Sequence, residues 1–213
     1  MKKFIMLFIM INISLLGHTI IHKRKTQENT FVFTQSFGDI NQEKLLFSEP
    51  LQEDLENEDI KPFTKEDFTI TPVKRYRISA RILGKENYKI GQAHEVLPID
   101  LVLGWNIMSD IKTIKDNKID ISQSNRFYYW RIPSFEKVTR EQIETNSANV
   151  HVGGINKEIT NELENLDKND LIYLEGYLVN VVNNKNGYRF VSSLTRKDTG
   201  AGACEVFLIT KVL

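Results

Sequence analysis

The chain after Pro72 alternates apolar and polar residues with the period of a β-strand. In "RYRISARIL" this alternation predicts a half-buried strand, whose inward face holds Tyr76, Ile78, Ala80 and Ile82. Other segments are rich in β-branched or aromatic residues and predict further strands: "KIDISQ", "RFYYWRI", "ANVHVGG" and "CEVFLITKVL".

A hairpin and two helices complete the predicted elements. The segments "DLIYLEGYLVNVV" and "GYRFVSSLTR" flank the Asn-rich turn "NNKN", which predicts a hairpin, and Gly176 predicts a bulge or sharp bend within it. Asn156 is a suitable cap for the helix "KEITNELENL", whose apolar face holds Ile159, Leu163 and Leu166. Pro98 predicts a second short helix over "PIDLVLGW", ending at Gly104.

These elements predict a mainly β domain with minor α content over residues 73–213. Many short strands with one or two short helices among them favour a small antiparallel barrel, OB-like or similar. A β-sandwich with helical insertions is the alternative fold.

The N-terminus carries the strongest localisation signal. Two lysines precede a long apolar run from Phe4 to Gly17, which is the layout of a secretory leader. If the run continues through Ile21, its length approaches that of a membrane-spanning helix. We therefore expect residues 1–25 to form a signal peptide or a single transmembrane anchor. The domain is then exported or membrane-anchored, on the periplasmic or extracytoplasmic side.

Residues 26–72 show no sustained period. Between Gln42 and Phe68 there are nine acidic and three basic residues, and Pro50 and Pro62 interrupt the segment. This composition predicts an acidic, flexible linker between the leader and the domain.

Composition excludes several classes of function. The 28 basic and 28 acidic residues balance, so a nucleic-acid partner is not expected. The chain has no phosphate-binding loop, no dinucleotide fingerprint and no Gly-x-Ser-x-Gly elbow, and we expect no cofactor. Within the predicted domain, His94 and His151 do not stand at metal-ligand spacing from a cysteine or from each other, so we expect no metal site.

The single cysteine raises the question of a catalytic thiol. Cys204 follows the turn "GAGA" at the start of the last strand, and His151 shares a polar strand face with Asn149. Cysteine and histidine are the minimum for a cysteine nucleophile with its base. The alternative is a packed residue, because alternation places Cys204 in phase with Val206 and Leu208.

A second candidate site is the aromatic and basic strand "SNRFYYWR". Arg126, Tyr128 and Trp130 point to one face, where they could bind a base, sugar or peptide by stacking. Trp105, in "LGWNIMSD", is a further candidate for ligand binding. The alternative for all these aromatic side chains is core packing.

Two resemblances follow from these motifs. An exported β domain with a histidine and then a cysteine resembles the sortase transpeptidases in outline. It departs from them in the approach "GAGAC" to the cysteine and in having no arginine after Cys204. From Tyr76 onward, and most specifically in "LGWNIMSD" and "DTGAGACE", the chain is similar to a family of uncharacterised bacterial proteins with hydrophobic N-termini. That resemblance implies no activity.

The sequence therefore favours a non-catalytic binding or assembly domain at the cell envelope. Its partner would be an envelope protein, a peptide or a glycan, bound by the aromatic and basic strand and by the face of Asn149 and His151. The alternative is a cysteine-dependent hydrolase or transpeptidase that uses Cys204 and His151. A purely structural subunit of an envelope assembly is the third hypothesis.

Overall fold

A computed structural model describes residues 45–57, 59–195, 200 and 202–213. The predicted leader, and residues 26–44 and 58 of the predicted linker, lie outside the described residues. The strands are β1 (Leu51–Glu53), β2 (Phe63–Lys65), β3 (Phe68–Asn87), β4 (Ile99–Gly104), β5 (Asp120–Ser124), β6 (Phe127–Arg131), β7 (Ser147–Gly154), β8 (Leu171–Asn183), β9 (Arg189–Phe190) and β10 (Glu205–Val212). The helices are a 3₁₀ turn (Asn106–Ser109), α1 (Ile111–Asp116), α2 (Arg140–Thr145) and α3 (Lys157–Glu164).

Five of the strands close into a ring. Their order is β3-β4-β7-β10-β8, and β8 pairs again with β3. The twenty residues of β3 allow this closure, because the first part pairs with β8 and the last part pairs with β4. The prediction of a mainly β fold with minor α content is confirmed, and its central strands form a closed ring.

The interior core fills this ring. The predicted inward face of β3 is correct, since all four of its apolar residues are buried there together with Trp105, Leu101, Val150 and Phe207. Helix α3 closes one end of the ring, and its side chain Leu163 is buried in the same core. Asn156 caps this helix as predicted, because its side chain accepts a hydrogen bond from the backbone N–H of Ile159.

Three sequence predictions need correction. "PIDLVLGW" forms strand β4 instead of a helix, because its six strand residues are all buried and Pro98 stands just before the strand. The ring is not wholly antiparallel, since β7 and β10 run parallel. The second arm of the predicted hairpin is also shorter than expected, because only Arg189 and Phe190 pair with β8.

The ordered domain begins earlier than residue 73. Strand β3 starts at Phe68, and both Phe68 and Ile70 are buried. Strands β1 and β2, which lie in the segment predicted to be a linker, pair antiparallel with β3. Four acidic residues of this segment form ion pairs with basic residues of β3, as Asp59 does with Arg75. Its charge therefore reflects salt bridging to the ring as well as solvation.

A separate hairpin packs on the outer face of the ring. It consists of β5 and β6, as predicted from "KIDISQ" and "RFYYWRI". An outer cluster of apolar residues lies beneath it and beside α2, formed by Leu83, Val102, Met108, Ile119, Val138 and Ile143. A second outer cluster includes Val206 and Leu208 of β10 together with Val96, Leu97 and Val181. The surface between these two outer clusters is polar. No helix in the described part of the chain is long and apolar enough to cross a membrane.

Gly176 is required by close contact between strands. A Cβ atom added there would lie 2.1 Å from the carbonyl oxygen of Leu208 on the neighbouring strand. The predicted irregularity lies opposite this glycine, where the pairing of β10 with β8 shifts between Ile209 and Lys211.

We predict that Gly176→Ala lowers the free energy of unfolding by about 3 kcal/mol or more, because backbone atoms must move to admit the methyl group. Gly187→Ala is the matched control: a Cβ atom at Gly187 meets no atom within 4 Å, and only its φ of +73° opposes alanine. We expect a loss of about 1 kcal/mol for this control. Equal losses in urea denaturation of the two variants would contradict the close-contact explanation.

Candidate active site

The register of three neighbouring strands brings four polar side chains together on the outer face of the ring. Asp100 of β4 stands opposite His151 of β7, and Val102 stands opposite Asn149. On the other side of β7, Val206 of β10 pairs with His151, which places Cys204 beside Asn149. Because the alternating residues Leu101, Val150 and Phe207 fill the interior core, these polar side chains point outward.

A buried carboxylate is at the centre of this group. Asp100 is 0% exposed, and its Oδ1 lies 2.8 Å from Nδ1 of His151 and 2.8 Å from Nη1 of Arg126. The side chain of His151 is only 8% exposed. A carboxylate at this depth requires partners of this kind, because an unpaired buried charge is strongly destabilising.

His151 is held in its protonated form by its two neighbours. Burial disfavours the imidazolium, but the contact of Nδ1 with Asp100 and the nearby Cys204 side chain outweigh burial and raise the pKa of His151 to about 9. Nδ1 faces Asp100, which fixes the orientation of the ring. The ring of Phe190 packs edge-on against the imidazole at 5.3 Å and covers it from the side of β9.

The turn of the β5–β6 hairpin delivers Arg126 to Asp100. Asn125 and Arg126 are the two loop residues, and both have positive φ, as a type I′ turn requires. The side chain of Asn149 holds the backbone of Arg126, because its Nδ2 donates to the Arg126 carbonyl at 3.1 Å. The Arg126 guanidinium also donates to the carbonyl of Leu97, and it lies 3.8 Å from the centre of the Tyr88 ring.

Asn149 connects the hairpin to the cysteine. Its Nδ2 lies 3.8 Å from Sγ of Cys204, and its Oδ1 accepts a hydrogen bond from Nε2 of Gln123 at 3.0 Å. Cys204 is partly exposed and is the free thiol of the chain. The alternation with Val206 and Leu208 predicted from the sequence is correct, but it places the thiol beside His151 at the margin of the second outer cluster.

Cys204 lines a cleft of about 420 Å³. Its walls come from strand β6, from α2 and the start of β7, and from the residues around the cysteine; they include Phe127, Tyr128, Tyr129, Trp130, Arg140, Ser147, Asn149 and Thr195. This volume lies in the range of small-ligand sites. The thiol is therefore accessible from a cavity that is large enough for a substrate group.

The candidate binding residues separate into three groups. Tyr128 and Trp130 line the cleft, with their inward faces packed on the outer cluster beneath the hairpin. Arg126 shares their face, as predicted, but its guanidinium is engaged by Asp100 and does not line the cleft. Trp105 was wrong as a ligand-binding candidate, because it is 1% exposed within the interior core.

Sequence reasoning missed Asp100 and the arginine of the cleft. Asp100 is the one charged residue in the apolar segment "PIDLVLGW", and a charge inside a buried strand is the signal that could have identified it. Arg140 lines the cleft and lies 5.3 Å from the centre of the Trp130 ring. A cation thus reaches the cleft from α2, although none follows Cys204 in the sequence.

Metal binding and relatives add no further assignment. Over residues 45–57, 59–195, 200 and 202–213, no group of three or more His, Cys, Asp and Glu side chains could hold a metal ion. Comparison with protein-family models, with curated proteins and with solved structures finds no match. The chemistry of this chain must therefore be argued from its own geometry.

We predict that the imidazole of His151 titrates near pH 9 in the folded protein and that Asp100→Asn lowers its pKa, because the carboxylate stabilises the imidazolium. Titration of the histidine ring signals by NMR measures this value. Asp120→Asn, which removes an exposed carboxylate paired with Arg131, is the control and should leave the titration unchanged.

The same shift makes stability depend on pH. Because the pKa of His151 is higher in the folded state than its ordinary value of about 6.5, the stabilisation is complete below pH 6.5 and is lost as the pH rises through about 9. Its size is on the order of 3 kcal/mol. Urea denaturation of wild type and His151→Gln between pH 6 and 10 checks this prediction. Parallel pH profiles for the two proteins would contradict it.

Proposed function

We propose that the protein is a cysteine-dependent acyl-transfer enzyme, with Cys204 as nucleophile, His151 as acid and base, and Asp100 as the group that orients the histidine. The observation that carries the proposal is the placement of Asp100, His151 and Cys204 on one outer face of the ring, where His151 Nδ1 lies 2.8 Å from Asp100 and Cys204 lines an open cleft. The three groups have the roles that nucleophile, base and orienting residue require in cysteine enzymes.

The charges around His151 support activation of the Cys204 thiol. Arg126 and Asp100 neutralise each other, so protonation of His151 adds one positive charge to a buried group. A positive charge at His151 would stabilise a thiolate as it forms at Cys204 and attacks.

The proposed reaction has two steps. The thiolate of Cys204 attacks the carbonyl carbon of the substrate, and the leaving group departs with the proton of the His151 imidazolium, which leaves a thioester on Cys204. His151 then takes a proton from water or another nucleophile as it attacks the thioester. Collapse releases the acyl product and restores the thiolate with its imidazolium.

Asn149 is a suitable donor for the negative oxygen that forms in each step. Its Nδ2 lies 3.8 Å from the nucleophilic sulfur. Hydrogen-bond donors directed at a developing oxyanion make one of the largest contributions to acyl transfer.

Non-catalytic binding in the same cleft is the second candidate function. It is favoured by the aromatic wall of β6, where Phe127, Tyr129 and Trp130 contact the cleft. In both proposals the leader exports or anchors the domain, and the partner or substrate belongs to the cell envelope.

We predict that iodoacetamide alkylates Cys204 in the native full-length protein at pH 7 and that His151→Ala slows this reaction at least about 10-fold, because the imidazolium holds the thiolate. Intact mass spectrometry follows the reaction. His94→Ala is the matched control, since His94 contacts Glu95 outside the site. A thiol that stays silent until denaturant is added would contradict the enzyme proposal and leave non-catalytic binding.

We further predict that p-nitrophenyl acetate transfers one acetyl group to Cys204, with release of p-nitrophenol. Asn149→Ala should slow this acylation by about 100-fold if its amide binds the oxyanion. Peptide mapping locates the acetyl group, and Cys204→Ser shows whether any other residue is acetylated. Acetylation that persists in Cys204→Ser would contradict the assignment of the nucleophile.

A further inference from the structure

The walls of the cleft are strand edges. Four consecutive residues of β6, Phe127 to Trp130, contact the cavity, and so do three consecutive residues at the start of β7, Ser147 to Asn149. Successive side chains of a strand point to opposite faces. A cavity over one face of a strand would therefore contact only every second residue of that strand. Because this cleft contacts consecutive residues of β6 and of β7, it runs along the backbone edges of both strands.

The edge of β6 that borders the cleft has no strand partner among the described residues. β6 pairs with β5 alone, in a two-stranded sheet separate from the ring. On the opposite wall, β10 pairs with β7 from Val150 onward, so the residues Ser147 to Asn149 precede that pairing. Two backbone edges thus face the same cavity, and Cys204 lies at the end where β10 begins.

A free strand edge has alternating N–H donors and C=O acceptors, and its complement is another extended polypeptide. Sugars and nucleotides do not repeat that dipole pattern at the spacing of a strand. The side chains suit such a ligand as well, because Phe127 and Tyr129 are 39% and 52% exposed on one face of β6. On the other face, Tyr128 and Trp130 also border the cleft. The side chains on both faces of a bound strand would therefore have apolar contacts.

Charge at the cleft is also compatible with a peptide. Arg140 pairs with Glu144 at 3.2 Å, and both residues line the cavity. This pair leaves no uncompensated cation from α2 that would demand an anionic ligand. An uncharged peptide backbone can enter the cleft without breaking the ion pair between Arg140 and Glu144.

We propose that the substrate is an extended polypeptide segment that pairs with the free edge of β6 and thereby places its reactive carbonyl at Cys204. The inference rests on the proposed acyl-transfer function and specifies its substrate class. Backbone hydrogen bonds to β6 provide the binding energy, and the aromatic side chains of β6 select residues at alternate positions.

The test compares two matched sets of electrophiles on the full-length protein: acetylated tripeptidyl chloromethyl ketones, and the same compounds with N-methylated backbone amides. Each alkylates the thiolate with loss of chloride, and iodoacetamide reports the intrinsic reactivity of Cys204. We expect N-methylation to slow the best peptidyl probe about 10-fold per lost backbone hydrogen bond. Tyr129→Ala should slow the peptidyl probes but not iodoacetamide. Ile90→Ala removes an exposed apolar residue outside the cleft, 82% exposed, and should change neither rate.

The outcomes separate this inference from the proposed function. Rapid His151-dependent labelling by iodoacetamide, with equal rates for peptidyl and N-methylated probes, would overturn the peptide substrate and leave the enzyme. Protection of Cys204 by a chitin oligosaccharide and not by peptides would overturn it in favour of a glycan.

If Cys204 is inert to all reagents, the enzyme proposal fails, and the peptides without electrophile are titrated into Cys204→Ala. Shifts of the backbone amide signals of residues 127–130, lost with the N-methylated peptides, would then support peptide binding at β6. Unchanged signals would overturn it.

Discussion

The burial of one carboxylate governs both the fold and the candidate site. Asp100 lies in a strand whose other residues are apolar and buried, so its charge requires compensation within the protein. Arg126 and His151 provide it, and both contact the same oxygen, Oδ1. Removing Arg126 or His151 would leave the buried charge of Asp100 only partly compensated, which would lower the free energy of unfolding by several kcal/mol. Asp100 thus joins the outer hairpin to β4 and adds a side-chain contact to the backbone pairing of β4 with β7.

The position of the hairpin in turn creates the cleft. Arg126 occupies a left-handed backbone conformation that costs a non-glycine residue about 1 kcal/mol or more, and its ion pair with Asp100 offsets that cost. With the turn fixed in this way, the free edge of β6 faces the start of β7 and the cysteine.

Local patterns in the sequence predict the elements better than their arrangement. The alternation in β3 and the apolar face of α3 follow from burial on one side, and both are visible in the chain alone. β4 was mistaken for a helix because a strand buried on both faces has no alternation, and Pro98 resembles a helix start. The parallel pairing of β7 with β10 depends on ring closure between segments about fifty residues apart, which no local pattern records.

The candidate site was predictable only in part for the same reason. Asn149 and His151 share a face of one strand, so their proximity follows from alternation. The chemical state of Cys204 instead depends on contacts across three strands, with Asp100 and Arg126 at its centre. The phase of a cysteine in a strand shows which face it occupies, but reactivity depends on the charges on that face. Here the face holds His151 in contact with the buried ion pair of Asp100 and Arg126, and Cys204 is among the neighbours that raise the pKa of His151. A mutation at Asp100 or Arg126 should therefore alter the reactivity of Cys204 through the histidine.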